Sequence, residues 1–321
     1  MKISIIVVSY NEKEYLVEAI ESCLNQDLPY NYEIIIGDDG SNDGSINIIE
    51  MYTNKYPDKV RGFVMDRSDV NMEKLIPSIR VTNVLKRAFE IARGEYITII
   101  SGDDLMIGSD RLSKQIEFLE NNPNYSSCYT DYQRFGDDYE KQDYIKKCSF
   151  SNSVLWAYEY IHIGCFVFKK EKTRRLLDRF IDDTGLAFVI FCQGKSKHIE
   201  YTGYGYRQRN GSIMHDADLL ELNILELMLF QDVLNYGGYR CSSLARFSIP
   251  LKYVYKHRSE VNNYKYEKYI ENCKEYNNNI VQMIVNSSSS KKISTFMLIC
   301  AAQICRKIYK FLGILESVIF N

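Results

Sequence analysis

Two pairs of adjacent carboxylates, Asp38-Asp39 and Asp103-Asp104, each follow an apolar run, "YEIIIG" and "YITIISG". Neighbouring acids at the end of a buried segment repel one another and lose hydration together. A divalent cation, or donors from a base and a ribose, relieves that cost. Ser9, Tyr10 and Asn11 close a third apolar run, "ISIIVV". The competing reading is a set of helix and turn caps, the role that Asp43 and Asp110 are placed to fill. Asp182 and Asp183 stand just ahead of "TGLAFVIFC", where a carboxylate serves either as a helix cap or as a general base toward a hydroxyl. In "YRQRNGSIMH", Arg207, Arg209 and His215 surround Gly211. A basic loop of that kind stabilises negative charge growing in a transition state. The alternatives are solvated arginines and, for His215, a metal ligand or an exposed imidazole.

Strand and helix patterns alternate through the first third of the chain, as a parallel, doubly wound sheet requires. "ISIIVVSY" is apolar throughout, the mark of a strand buried on both faces. Asn11, three residues before Glu14, has the spacing of a capping box for a helix carrying Leu16, Ala19, Ile20, Cys23 and Leu24. Tyr32 to Ile36 reads as a second strand, Gly62 to Asp66 as a third, Ile79 to Ala92 as a helix stopped by Gly94, and Tyr96 onward as a fourth strand. Leu112, Ile116 and Leu119 mark another amphipathic helix, and "SSCYTDYQRF" another strand. Helices dominate beyond Asp218. His162 and Cys165 read as core, Asp131 as a residue facing a bound ligand, and Trp156 either as a ring that stacks on that ligand or as one aromatic among many. In an open α/β sheet, ligands bind outside the carboxyl ends of the strands, where all these acids fall. There is no GxGxxG after the first strand and no GxxxxGK[ST], so neither a dinucleotide cradle nor a P-loop is supported.

The 321 residues suggest two domains, or one with an appendage. A composition of 45% hydrophobic and 26% charged residues is globular. A net charge of -2 excludes a general basic field for nucleic acid. From Lys252 onward, however, eleven Lys or Arg face five Glu, hence +6. Nine cysteines without CxxC or zinc spacing read as reduced thiols of a cytoplasmic protein. The first residues read as a strand rather than a signal peptide. No run is long enough to span a bilayer. Ile293 to Phe320, with Arg306, Lys307 and Lys310 between two apolar blocks, suits a helix packed on the body, a homodimer face, or a peripheral contact with the inner face of a membrane.

"SIIVVSYNEKEYLVEAIESCLNQ", "EIIIGDDGSNDGS", "ARGEYITIISGDD" and "RLSKQIEFLENNPNYSSCYTD" resemble, in order and spacing, the nucleotide-sugar-binding half of glycosyltransferase family 2. The resemblance implies an α/β, GT-A-like doubly wound mixed sheet flanked by helices, with a helical C-terminal extension. It divides the chain into a nucleotide-sugar-binding half (1–131), an acceptor-binding half with the catalytic loop (132–217), and a helical region (218–321). It implies that Ser9, Tyr10 and Asn11 line the nucleotide site, that Asp39 bonds the base, usually uracil, and that Asp38 supports its loop. Arg80 or else Asn83 would add a nucleotide contact. Asp103, preceded by Gly102, matches the last acid of the Asp-x-Asp motif that holds Mn2+ or Mg2+ against the donor diphosphate, and Asp104 follows it as a further metal ligand. Ser101 replaces the first acid, which leaves the cation fewer direct carboxylates and more water. Asp183, with Asp182 beside it, falls where the family keeps its catalytic base. Arg207, Arg209 and His215 would close over the diphosphate.

The activity so implied is metal-dependent, inverting transfer of one sugar from a donor, UDP-linked in most relatives, to a hydroxyl of a glycan or lipid-linked glycan in surface polysaccharide synthesis. The Gln-x-x-Arg-Trp signature of processive synthases is absent. Rival readings are a degenerate nucleotide- or partner-binding protein, kept open by Ser101, and a sugar nucleotidyltransferase, which lacks its Gly-rich loop here.

Overall fold

Runs of Ile and Val with no polar face build the central strands: β1 (Ile3–Ser9), β2 (Tyr32–Asp38) and β4 (Tyr96–Ser101), with the shorter β3 (Val60–Val64) at the edge. The structure is a computed structural model. It describes residues 1–68, 76–136, 139–144, 152–158, 161–171, 183–209, 218–236, 240–261 and 289–320, with isolated positions between 266 and 284. β1 pairs in parallel with both β2 and β4, in a register that sets Ser9 opposite Asp38 and Val8 opposite Ser101. Parallel strands in near-flush register end along one rim, so the polar residues that follow them converge. Helices α1 (Lys13–Leu24), α2 (Ser45–Lys55) and α3 (Pro77–Ile91) cross back between these strands. Leu16, Ala19, Ile20 and Cys23 form the buried stripe of α1, as the helical spacing predicts.

At the opposite rim a buried carboxylate ties the strands together. Glu33 accepts from the Ser4 hydroxyl at 2.7 Å and pairs with Arg61 at 2.5 Å and Arg93 at 3.0 Å. Burial opposes its charged form, but those hydrogen bonds and cations hold its pKa below the usual carboxylate value.

The rest of the sheet is antiparallel or mixed. After β4 come β5 (Leu105–Met106), α4 (Arg111–Asn121), β6 (Tyr125–Gly136), β7 (Tyr139–Tyr144), α5 (Asn152–Tyr158), β8 (Phe166–Lys169), α6 (Asp183–Cys192) and β9 (Lys195–Arg207). The strand order is β3-β2-β1-β4-β8-β6-β9-β5, with β7 beside β6. This is the doubly wound mixed sheet, flanked by helices, that the sequence predicts. β8 and β9 have no clear alternation in sequence, because one is short and the other is rich in Tyr and Gly. Cys165 is fully buried, as expected, and so is Trp156.

Helices α7 (Leu219–Tyr236), α8 (Arg240–Arg246), α9 (Ser248–Lys256) and α10 (Ser289–Phe320) complete the described chain. α10 buries Thr295, Ile299 and Ala302 and packs on α8 and α5. Gln303 donates to the Ser248 carbonyl at 3.1 Å. Its outer face exposes Met297, Ile304, Ile308 and Phe311 in one stripe. No described helix is long and apolar enough to cross a membrane.

Candidate active site

Three turns are knitted together at the carboxyl rim. The Asp39 amide donates to the Ser9 carbonyl at 2.9 Å, and the Gly102 amide to the Val8 carbonyl at 2.8 Å. Asn11 takes a left-handed backbone (φ 52°), its amide donating to Ser41 Oγ at 2.8 Å and its Oδ1 accepting from the Asn42 amide at 3.0 Å. The capping-box expectation is therefore corrected. Glu12 holds the N-cap position of α1, and Asn11 instead binds the first turn to the second. Asp43 accepts from the Lys13 and Ser45 amides, both at 2.9 Å, and so serves the starts of two helices. Asp38 is fully buried and accepts from the amide and hydroxyl of Ser41 at 2.7 and 2.6 Å. Burial pushes its pKa up against those bonds, and the Asp39 charge adds to the rise.

Asp39 faces the rim of the site. Its Oδ2 is paired with Arg67 at 2.5 Å and with Arg80 at 3.4 Å, while its buried Oδ1 accepts no hydrogen bond among the described residues. The buried hydroxyl of Ser9 is likewise without a partner there. The Tyr10 ring carries the Arg67 guanidinium 4.0 Å from its centroid and Arg80 at 5.2 Å, and its hydroxyl accepts from Arg67 at 2.8 Å. Arg80 thus meets Asp39, whereas Asn83 lies nearly a turn further along α3. Sequence reasoning missed Arg67. It sits three residues past the end of β3, in a segment without periodicity.

The fourth strand end is divided between two neighbours with different tasks. Asp104 is fully buried, and both its oxygens are engaged: Oδ2 accepts from the Tyr204 hydroxyl at 2.6 Å and Oδ1 from the Arg207 amide at 2.8 Å. Burial first, then the adjacent Asp103 charge, pushes its pKa well up. These two contacts turn Asp104, expected as a metal ligand, toward β9. Asp103 accepts at Oδ2 from Arg209 Nε at 2.7 Å, and its carbonyl accepts from Arg207 Nε at 2.7 Å. Arg209 also reaches Glu12 Oε1 at 3.2 Å, and Arg207 reaches Glu18 at 2.6 Å. Both guanidiniums lie over the Tyr15 ring, at 5.5 and 4.7 Å.

Glu12 is the second residue that the sequence did not single out. It is 8% exposed, and its Oε2 has no hydrogen-bond partner among the described residues. Burial and the nearby Asp103 charge push its pKa well up, with Arg209 opposing. Its signal was position: three residues after Ser9, in the same strand-end turn. Asp182 and His215 lie outside the described residues.

Asp183 opens α6 and accepts from the Thr184 amide at 2.9 Å. It lines a small cavity with Trp156, Thr184 and Arg246, so α8 closes one wall. His162 lies between the Tyr204 and Tyr206 rings, 4.7 Å from each. Burial lowers its pKa to about 4, with Asp183 and Asp103 partly opposing, so the imidazole is neutral near pH 7. It is buried, as expected for core, and lies within the electrostatic reach of both acids. Asp131, expected to face a sugar, pairs with buried His198 at 2.8 Å. Among the described residues no three His, Cys, Asp or Glu side chains converge to hold a metal by themselves.

The family model for glycosyl transferase family 2 matches residues 4–73. Poly(ribitol-phosphate) beta-glucosyltransferase of Bacillus spizizenii is 35% identical over 123 residues, 38% of this chain and 18% of that protein. The chain spans about half the length, or less, of the curated relatives it matches. The crystal structure of S. aureus TarS 1-349 in complex with UDP-GlcNAc is similar, with a TM-score of 0.60 at 15% identity over 97% of this chain and 92% of that chain. Mannosyltransferase PcManGT from Pyrobaculum calidifontis, in complex with GDP-Man and Mn2+, gives 0.56 at 15% identity over 95% and 86%. At such identities the structures speak to the fold. Residues 4–73 are thus similar to glycosyl transferase family 2, and the mixed sheet flanked by helices shares the GT-A-like fold of these solved structures.

Proposed function

We propose that the chain is an inverting glycosyltransferase that moves one sugar per encounter from a nucleotide-sugar donor, UDP-linked, to a hydroxyl of a glycan or lipid-linked glycan of the cell surface. The observation that carries this reading is the unpaired Asp39 Oδ1, buried beside Ser9 and Tyr10. A buried acceptor left without a donor costs about 1 to 3 kcal/mol, and the imide N–H of uracil is a donor of the right kind. The sugar nucleotide held by TarS and the polyol-phosphate glycosylation named for the B. spizizenii relative agree with donor and acceptor class.

In this reading residues 1–131 hold the donor, 132–217 carry the acceptor side, and 218–321 wall the acceptor cavity through Arg246. Asp183 takes the proton of the attacking hydroxyl, and neutral His162 keeps a second positive charge away from it. Arg207 and Arg209, already at the Asp103 end of the rim, are within reach of a diphosphate there, with His215 on the segment that follows. The rim offers oxygen donors only, which suits a hard cation such as Mn2+ or Mg2+. Asp103 would hold that ion, which when bound neutralises the departing diphosphate as a Lewis acid. The exposed apolar stripe of α10, with Lys307 and Lys310 beside it, supports a seat on an anionic membrane surface.

A panel of sugar nucleotides with Mn2+, scored for nucleotide release with and without candidate acceptors, tests the reading. Release of UDP from one donor is the expected result. Metal-independent UDP binding with no donor turnover would favour a degenerate binding protein, and pyrophosphate release from a nucleoside triphosphate would favour nucleotidyl transfer.

A further inference from the structure

We propose that Glu12 is the second carboxylate of the cation seat, and that Arg209 is the counter-ion that seat holds until a divalent cation replaces it. The inference rests on the transferase reading and assigns a residue which that reading leaves idle. Glu12 and Asp103 come from different strand ends, yet one guanidinium bridges them, Nε to Asp103 Oδ2 at 2.7 Å and Nη2 to Glu12 Oε1 at 3.2 Å. The far oxygen of Glu12 is buried and accepts nothing among the described residues. A carboxylate desolvated to that extent with one oxygen unbonded is costly unless another ligand completes it.

Backbone at Gly102 makes the room. A Cβ there would stand 2.4 Å from Glu12 Oε2, so any other residue at position 102 would displace that oxygen. Beside Gly102 the chain carries Ser101, which is not an acid. The second negative charge at this strand end is therefore supplied from the turn after β1. Two carboxylates, with water and diphosphate oxygens, form the donor set that Mg2+-type sites take. Arg209 belongs to the segment leaving β9, so it can withdraw when a dication displaces it, and from there it can meet the diphosphate. Free Arg209 and bound cation are then one exchange.

Mn2+ binding to the full chain, followed by electron paramagnetic resonance with and without UDP, tests this directly. Glu12→Gln should weaken Mn2+ binding in the UDP complex by about tenfold or more, the scale on which metal-site partners act. Glu12→Asp, which keeps the charge but shortens the reach, should do the same and guards against a folding artefact. Arg209→Met should tighten Mn2+ binding without UDP, because the competitor is gone. Unchanged Mn2+ affinity in both Glu12 variants, or in Arg209→Met, overturns the assignment. Wild-type UDP release from a sugar nucleotide is measured in parallel: its loss removes the transferase reading, whereas its presence with unmoved Mn2+ affinities removes only Glu12 and Arg209.

Discussion

Tyr204 and Asp104, one hundred residues apart in sequence, meet in the core through a 2.6 Å hydrogen bond from the phenol to the carboxylate. That bond, with the Arg207 amide on the other oxygen, fixes the end of β9 against the end of β4. Gly164 permits it, since a Cβ there would lie 2.2 Å from the Tyr204 ring. Removing the phenol leaves a buried carboxylate oxygen without its donor. Tyr204→Phe should therefore destabilise the fold by about 1 to 3 kcal/mol, read as a lower urea midpoint. No change in midpoint would mean that the contact carries no weight.

In the proposed reaction Asp183 takes the acceptor proton. Asp183→Asn should lower turnover by about 10² to 10⁴, the usual worth of a general base, with UDP affinity by calorimetry nearly unchanged. Turnover equal to wild type would move the base elsewhere.

Glu33 sets an acid limit on stability. Its folded pKa lies below the ordinary value, so its contribution is complete above the unfolded pKa and is lost as pH falls through the lowered folded pKa. Glu33→Gln should cost about 1 to 3 kcal/mol near pH 7, the lower range because Arg61 and Arg93 reach solvent and are screened. The gap to wild type should close as pH drops below the normal carboxylate range, in denaturation curves taken at each pH. A gap independent of pH would assign the loss to packing.

The outer stripe of α10 predicts binding to a charged lipid surface. The full chain should sediment with vesicles containing phosphatidylglycerol but not with pure phosphatidylcholine, and raised salt should weaken that binding. Replacing both Ile304 and Phe311 by Asp should abolish it. A wild-type dimer that the double variant converts to monomer, without vesicle binding, would show that the stripe meets a second copy instead.

The sequence alone determined the first four strands and the helices that cross between them. Apolar runs without polar alternation can only be strands buried on both faces, and helical spacing supplied the crossovers, so Asp38, Asp39, Asp103 and Asp104 had to fall at strand ends. Local pattern could not say which acid of a pair faces the ligand, because a neighbour's direction depends on what packs against it. Tyr204, from a strand without clear alternation, turned Asp104 inward and left Asp103 at the rim. Arg67 and Glu12 entered the site by the same route: turns carry no period, and only the parallel register of β1, β2, β3 and β4 brings their ends within reach of each other.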